Sequence, residues 1–275
     1  MSFNSVNTNR QAVFAMQSLN LTNSELGGVQ KRVSTGYRVA DARDDGGAFA
    51  VAQAVRSDVA GVTAVGEQLG GVKGVLQTTF ASLSVVSDTM KQLRATLTRL
   101  ADGAINGDQR AQYNTQYNLL RTQISDFIDD ATYNGRTLLS TGTATGGNIT
   151  GIRNEGGGTF TINATDGGTL KLTSTPADAT SAQVMIASGG EFDLIDGRIS
   201  TALNQFGASM QYVENQINYN AKKVDAMNDG LGALVDADLA KESSKLQALQ
   251  TRQQLGIQTL GIANQGPQVL LSLFR

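Results

Sequence analysis

An apolar repeat of seven residues runs from position 48 to position 100, and it limits what this chain can become. One column reads Ala48, Val55, Val62, Leu69, Leu76, Leu83, Met90, Leu97. The column three residues on reads Val51, Asp58, Val65, Val72, Thr79, Val86, Leu93, Leu100, with Asp58 as the one clear break. Such spacing makes a narrow stripe along a long helix, and another helix must cover it. Gly61, Gly66, Gly70, Gly71 and Gly74 lie inside the repeat. Each costs up to about 1 kcal/mol relative to alanine, so this helix is weak alone and open to close backbone approach.

A second repeat lies far along the chain. Ile199, Phe206, Val213 and Met227 form one column, interrupted by polar Asn220, and Leu203, Met210, Ile217 and Val224 form the other. Between the two repeats a shorter helix carries Tyr113, Tyr117, Leu120, Ile124 and Phe127, with Asp108 as its expected N-cap. Three amphipathic helices can cover one another's stripes, which predicts a bundle. The ends repeat more thinly. Ala12, Leu19, Leu26 and Val33 recur every seven residues beside Ala15, Thr22 and Val29. Val235, Leu239, Leu246, Leu249 and Leu260 follow a similar spacing, diluted by Glu242, Gln253 and Gly256. So little apolar area does not offset the ordering entropy of the chain, so the ends are expected to fold on association.

The middle differs. From Thr141 to Gly190 the chain is rich in Gly, Thr and Ser. Thr159–Ala164 and Thr169–Thr173 alternate with period two around Asp166-Gly167-Gly168, which predicts a β-hairpin.

Composition narrows the chemistry. The 275 residues hold 22 basic and 24 acidic side chains, too balanced for a clustered nucleic-acid footprint. Histidine and cysteine are absent, which removes Cys/His zinc sites, thiol nucleophiles and disulfides. Tryptophan is missing, and Pro176 and Pro267 are the two prolines, so long helices meet few interruptions. The polar start, Met1 to Arg10, does not resemble a secretory signal, and no run approaches the ~20 apolar residues of a membrane span.

Motifs that suggest chemistry do not survive inspection. Asp41-Ala42-Arg43-Asp44-Asp45-Gly46 puts Arg43 and Ala52 where a calcium loop needs ligands, so Asp44 or Asp45 is expected to cap the long helix instead. Gly256 and Gly261 have phosphate-loop spacing, but Ile262 and Ala263 stand where Lys and Ser/Thr are required. Asp236/Asp238 and Glu191/Asp193/Asp196 read as helix starts rather than acid–base pairs. No cofactor, metal or catalytic residue is expected.

Two blocks then resemble bacterial flagellins. The first is Val33-Ser34-Thr35-Gly36-Tyr37-Arg38-Val39-Ala40-Asp41-Ala42-Arg43-Asp44-Asp45-Gly46-Gly47-Ala48. The second runs from Asp238-Leu239-Ala240-Lys241-Glu242-Ser243 to Ala263-Asn264-Gln265-Gly266-Pro267-Gln268-Val269-Leu270. Asp129-Asp130-Ala131-Thr132-Tyr133-Asn134-Gly135-Arg136-Thr137-Leu138-Leu139 is similar to the family's link between bundle and hairpins. The resemblance implies a filament subunit in which the first and last helices pair as an inner coiled coil. It also implies export through the flagellar type III apparatus and assembly beneath a filament cap. An export chaperone on the carboxy-terminal helix and hook-junction proteins are the further implied partners, with no nucleic acid and no membrane. The family's innate-receptor motif maps onto Gln92-Leu93-Arg94-Ala95-Thr96, which keeps only Arg94, so receptor activation is not carried over. Thr141, Thr143 and Thr145 are conceivable glycan acceptors, none singled out.

The expected fold is mainly α: a long discontinuous helical bundle with coiled-coil termini and a small β-hairpin region in the middle. Residues 1–44 and 236–275 are expected to form the inner coiled coil, 45–140 and 190–235 a rod-like bundle, and 141–189 the variable hairpin segment. The expected self-assembly seam is Val6, Val13, Leu19, Leu26, Val33, Leu246, Leu249, Leu260, Val269, Leu270, Leu273 and Phe274. A hook–filament junction protein is the alternative within the class. A membrane-active helical module and a carboxylate enzyme stand further off.

Overall fold

The computed structural model describes residues 9–141 and 146–272, with side chains described as far as residue 265. In chain order its elements are α1 (Arg10–Thr35), α2 (Gly46–Leu100), α3 (Gly107–Asp129), β1 (Ile149–Ile152), β2 (Thr159–Ile162), α4 (Ala179–Ile186), α5 (Glu191–Val235) and α6 (Leu239–Ser272). A 3-10 turn, Gly167–Leu170, lies between β2 and α4. The chain is mainly helical with one small hairpin in its middle, as the repeats imply. Residues 1–57 and 226–275 form one compact unit, and residues 58–225 a second.

The second unit holds the main core. Val62, Leu69, Leu76, Leu83, Met90 and Leu97 of α2 are buried, as are Val65, Thr79, Val86, Leu93 and Leu100 in its companion column. All of these but Val62 and Thr79 meet Tyr117, Leu120 and Ile124 of α3 and Ile199, Phe206 and Val213 of α5 in one cluster. Thr79 sits in this seam without penalty because its hydroxyl donates to the Val75 carbonyl at 2.9 Å. Upstream of Val62 the buried face shifts by one residue. Val51 is exposed and Ala52 buried, so Asp58, exposed, never enters a seam. The apparent break in the repeat is a change of phase.

Two local readings are corrected. The N-cap of α3 is Asn106, not Asp108. Its side chain accepts from the Gln109 amide while Gln109 accepts from the Asn106 amide, a capping box that starts the helix at Gly107. On the same helix Ile128 turns inward and Phe127 is partly exposed.

The hairpin is also differently paired. Thr159–Ile162 is a strand, but its antiparallel partner is Ile149–Ile152, with Ile149 opposite Ile162. Asp166-Gly167-Gly168 is not the hairpin turn. The Asp166 carboxylate accepts from the Gly168 amide and opens the 3-10 turn. The Gly167 amide donates to the Leu139 carbonyl, so close that a Cβ on Gly167 would lie 2.4 Å from that oxygen. Leu170 and Leu172 therefore point into the core with no strand beside them.

Asn220, the polar interruption of the second repeat, explains the hairpin's seat. It is buried, and its amide donates to the Arg153 carbonyl at 3.3 Å, with Gln216 donating to the same oxygen at 3.0 Å. Lys223 pairs with Glu155 at the tip of the same loop. The Glu155 Cβ lies where only a glycine fits well on α2, 3.1 Å from the Cβ position of Gly61.

Gly74 does the same for Tyr133, whose ring would lie 2.7 Å from an added Cβ. Gly66, Gly70 and Gly71 meet nothing within 4 Å. Close approach thus accounts for two of the five glycines in the first repeat.

The first unit has two smaller clusters. Leu26, Val29 and Leu249 form one, flanked by Val33 and Leu246. Val39, Ala52 and Val235 form the other, with Ala48, Phe49, Leu231 and Leu234 against it. Helix α1 ends at Gly36, whose φ of +74° favours glycine and whose amide donates to the Arg32 carbonyl. The two connecting segments then bond to each other. Arg38 and Val39 amides donate to the Val235 carbonyl, and the Ala237 amide donates to the Gly36 carbonyl.

Candidate functional site

What the α1–α6 pair offers among the described residues is surface. Its buried face follows the heptads of both helices. On α1, Ala12, Ala15, Leu19, Thr22, Leu26, Val29 and Val33 are buried or half-buried. On α6, Glu242, Leu246, Leu249, Gln253, Gly256, Leu260 and Ala263 are the covered positions. Leu19 lies over Gly256, where an added Cβ would come within 3.2 Å of its side chain.

Polar links tie the same helices together. The Asn9 amide donates to the Ala263 carbonyl at 2.7 Å, Gln253 donates to Asn23 at 2.8 Å, and Arg32 Nε faces Glu242 Oε2 at 3.1 Å. One residue number rises as its partner's falls, so the helices run antiparallel.

The opposite faces are apolar and uncovered. Val13, Phe14, Met16 and Leu21 of α1 are 50–69 % exposed, and Leu255, Ile257 and Ile262 of α6 are 56–69 % exposed. Val13, Met16, Gln17, Asn20 and Leu21 line a shallow groove of about 350 Å³. Isolated apolar residues on a surface need no explanation, but a run of them along two paired helices marks a surface made to be covered.

Below the pair, a charged turn joins α1 to α2. Lys31 reaches Asp41 at 2.9 Å and Asp44 at 2.8 Å. Asp44 also accepts from the Ala40 and Asp41 amides, and Asp45 caps α2 by accepting from the Ala48 amide. The Lys31 ammonium, helped by the Arg43 amide, holds the Asp41 carboxyl well below the usual carboxylate range. Lys31 likewise lowers Asp44, and its own ammonium is raised by the two carboxylates. The turn is a cage of internal bonds with a cation already in place, which is why it serves as a cap and not as a calcium loop. Among the described residues no group of carboxylates could hold a metal ion. Asp238 caps α6 through the Ala240 and Lys241 amides. Glu191, which burial alone would raise, is lowered because the Thr173 and Ser174 groups donate to it.

The expected seam residues fall into three groups. Leu19, Leu26 and Val33 meet the helix of Leu246, Leu249 and Leu260 within one chain. Val13 points the other way, onto the uncovered face, because it stands one residue past the heptad position Ala12. Val6, Leu273 and Phe274 lie outside the described residues, as do the side chains of Val269 and Leu270. Residue-by-residue reasoning missed the outward residues Phe14, Met16, Leu21, Leu255, Ile257 and Ile262. The signal was available: apolar residues one position off a heptad that was already filled. Elsewhere, Thr141 is exposed, and Thr143 and Thr145 lie outside the described residues. Arg94 stands over the Phe192 ring at 5.8 Å, while its neighbours Leu93 and Thr96 are buried.

Comparison with known proteins gives this surface its context. Residues 6–145 match the bacterial flagellin N-terminal helical region, and residues 193–274 match the bacterial flagellin C-terminal helical region. The chain is 36 % identical to flagellin FljK of Caulobacter vibrioides over the full length of both proteins. It is 32 % identical to a flagellin of Brucella melitensis, covering 98 % of this chain and 99 % of that one.

Two solved structures share the fold. Bacillus cereus flagellin superposes with a TM-score of 0.51 at 22 % identity, covering 56 % of this chain and 88 % of its own. A putative flagellar hook-associated protein from Vibrio parahaemolyticus gives a TM-score of 0.59 at 14 % identity, covering 70 % and 100 %. With both terminal helical regions matched and full-length relatives in hand, the chain belongs to the bacterial flagellins, the non-enzymatic structural subunits that polymerise into the extracellular flagellar filament of swimming cells.

Proposed function

We propose that in this flagellin the α1–α6 pair is the part whose folding is coupled to polymerisation. The observation that carries this is its thin interior: Thr22, Leu26 and Val29 of α1 and Leu249 of α6 are buried, while the outer faces hold a row of exposed apolar side chains. A pair so built gains little alone and much when copies cover it. Residues 1–44 and 236–275 then act as the inner coiled coil, 45–140 and 190–235 as the rod-like bundle, and 141–189 as the variable outer segment. Within that division Val6, Val13, Leu19, Leu26, Val33, Leu246, Leu249, Leu260, Val269, Leu270, Leu273 and Phe274 form the self-assembly seam. Subunits add through heterologous contacts whose rotation never closes, so the product is a filament.

The same reading gives the transient partners. An export chaperone shields the carboxy-terminal helix, type III export carries the chain unfolded, and a filament cap and hook-junction proteins bound the growing polymer. Similarity to a hook-associated fold keeps a junction protein as the second reading, but full-length identity to flagellins favours the filament. Limited proteolysis of the soluble monomer tests the coupling. Trimming at both ends in the monomer and resistance in the filament are expected; a monomer protected from end to end overturns it. Copy number separates the two readings, since a junction protein would form a single ring.

A further inference from the structure

The apolar contacts between α1 and α6 are too few to fix one alignment of the two helices strongly. The cluster is Leu26, Val29 and Leu249 with Val33 and Leu246, and the covered columns of α6 dilute their leucines with Glu242, Gln253 and Gly256, so apolar packing alone separates the native alignment from a slipped one by only a few side chains. Leu246, Leu249 and Leu260 lie on one face of α6 while Leu255 and Ile262 are exposed on another, so the helix is also apolar in more than one direction. What does not repeat is the polar set. Asn9–Ala263, Asn23–Gln253 and Arg32–Glu242 occur once each, and all three agree on one antiparallel alignment.

The Arg32–Glu242 pair is the most exacting of the three. Its side chains are 26 % and 16 % exposed, and the facing atoms, Arg32 Nε and Glu242 Oε2, are themselves buried. Neither atom has a hydrogen-bond partner, so each depends on the charge of the other as its counterpart. A slip by one heptad would set Arg32 beside Leu249 in one direction or Glu242 beside Glu25 in the other, leaving a buried charge without its partner, a cost far above that of losing a surface ion pair.

We propose that Arg32 and Glu242 are positioning residues for filament assembly: their ion pair, seconded by Asn23–Gln253, locks the register of the terminal helix pair. The lock matters because Val13, Phe14, Met16 and Leu21 project from α1 and Leu255, Ile257 and Ile262 from α6. A heptad slip moves one row against the other by roughly 10 Å, and the composite surface offered to the next copy no longer matches. A polar group that fixes alignment at some expense of stability is the best-attested use of buried polarity in helix pairs. The inference rests on the chain's role as a filament subunit and not on whether its ends are folded before assembly.

The test is a charge swap in cells whose sole flagellin is this chain. Arg32→Glu and Glu242→Arg, each alone, are expected to reduce filament length and swimming roughly tenfold. The double variant R32E/E242R is expected to restore most of both. Singles that assemble like the parent overturn the proposal. So does a double variant no better than the singles, which would mean two separate roles.

A second measurement reads alignment directly, aided by the absence of cysteine from the chain. Asn23→Cys with Gln253→Cys should form an intramolecular disulfide in isolated filaments. Asn23→Cys paired with Leu246→Cys or Leu260→Cys, one heptad away, should not. Adding Arg32→Glu should shift cross-linking in whatever polymer remains towards the slipped pairs; unchanged cross-linking at 253 overturns the lock. A soluble monomer protected at both ends, with cross-linking at 253 still lost on Arg32→Glu, would overturn coupled folding alone, so the two proposals fail separately.

Discussion

From Val65 to Leu100 the inward face of α2 is packed into one core, and Tyr117, Ile124, Phe206 and Val213 close over it from two other helices. Along α1 the inward face is covered by one helix, and full burial is reached at Thr22, Leu26 and Val29. Both stretches are written in the same seven-residue code. They differ in how many neighbours each stripe finds within its own unit. Three helices meeting at one line remove large side chains from water on all sides. Two helices leave each other half-covered, and on the function proposed above the missing neighbours are other copies of the chain. On that reading the same pattern gives a self-sufficient core in one place and an assembly surface in the other.

That contrast can be broken most forcefully inside the bundle. Phe206→Ala and Leu83→Ala remove fully buried side chains and should cost about 3–5 kcal/mol each, visible as a large fall in the melting temperature of the soluble monomer. Leu26→Ala and Leu249→Ala delete residues of comparable kind from the terminal pair. They should leave that monomer transition within about 0.5 kcal/mol while filament yield collapses. Equal effects on both measurements would erase the distinction between the units.

The glycines of α2 sharpen it at a smaller scale. Gly74→Ala must displace the Tyr133 ring and should destabilise the bundle by about 1–3 kcal/mol. Gly70→Ala meets open space and should stabilise the helix by up to about 1 kcal/mol. If glycine softness lets subunits settle into slightly different packings, Gly70→Ala or Gly71→Ala will also alter filament curvature, read by electron microscopy; unchanged curvature removes that role from them.

The smallest expected effect is on pH. Asp41 and Asp44 are depressed in the folded turn by Lys31. A carboxylate lowered on folding adds stability above its unfolded value, near ~3.9, and loses it as pH falls through the folded one. Acidification below about pH 4 should therefore loosen the turn, and the Ala40 amide, which donates to Asp44, should gain exchange relative to its intrinsic rate. Asp44→Asn should show that faster exchange already at neutral pH.

Much of this molecule is legible before any coordinates. Leu69, Leu76, Leu83, Met90 and Leu97 announce their burial because a heptad column leaves them no other face. Asp44/Asp45 and Asp236/Asp238 announce helix starts, since an acidic residue just ahead of an apolar repeat satisfies free amides, and the structure picks Asp45 and Asp238 as the caps. The hairpin was half legible. Thr159–Ile162 alternates and is a strand, but its partner was hidden, because β1 has only Ile149 and Ile152 around Thr150 and Gly151. Asp-Gly-Gly advertises a turn without saying which turn. Asn220 read as a flaw in a seam until the Arg153 carbonyl supplied its reason. In the terminal pair, the burial of Leu26 and Leu249 followed from spacing, whereas the outward turn of Val13 did not, since one residue along a helix turns a side chain by about 100°.

The order of apolar and polar residues settled the helical class, the long repeats, the caps and the kinship with flagellins, because each depends on neighbours within a few positions. Tertiary structure alone decided which strand joins Thr159–Ile162, where α2 changes its buried phase, and which carbonyl Asn220 serves. It also decided how Arg32 comes to face Glu242 across 210 residues of sequence. Those choices depend on groups distant along the chain competing for the same space and the same hydrogen bonds, and no local pattern records the outcome of that competition.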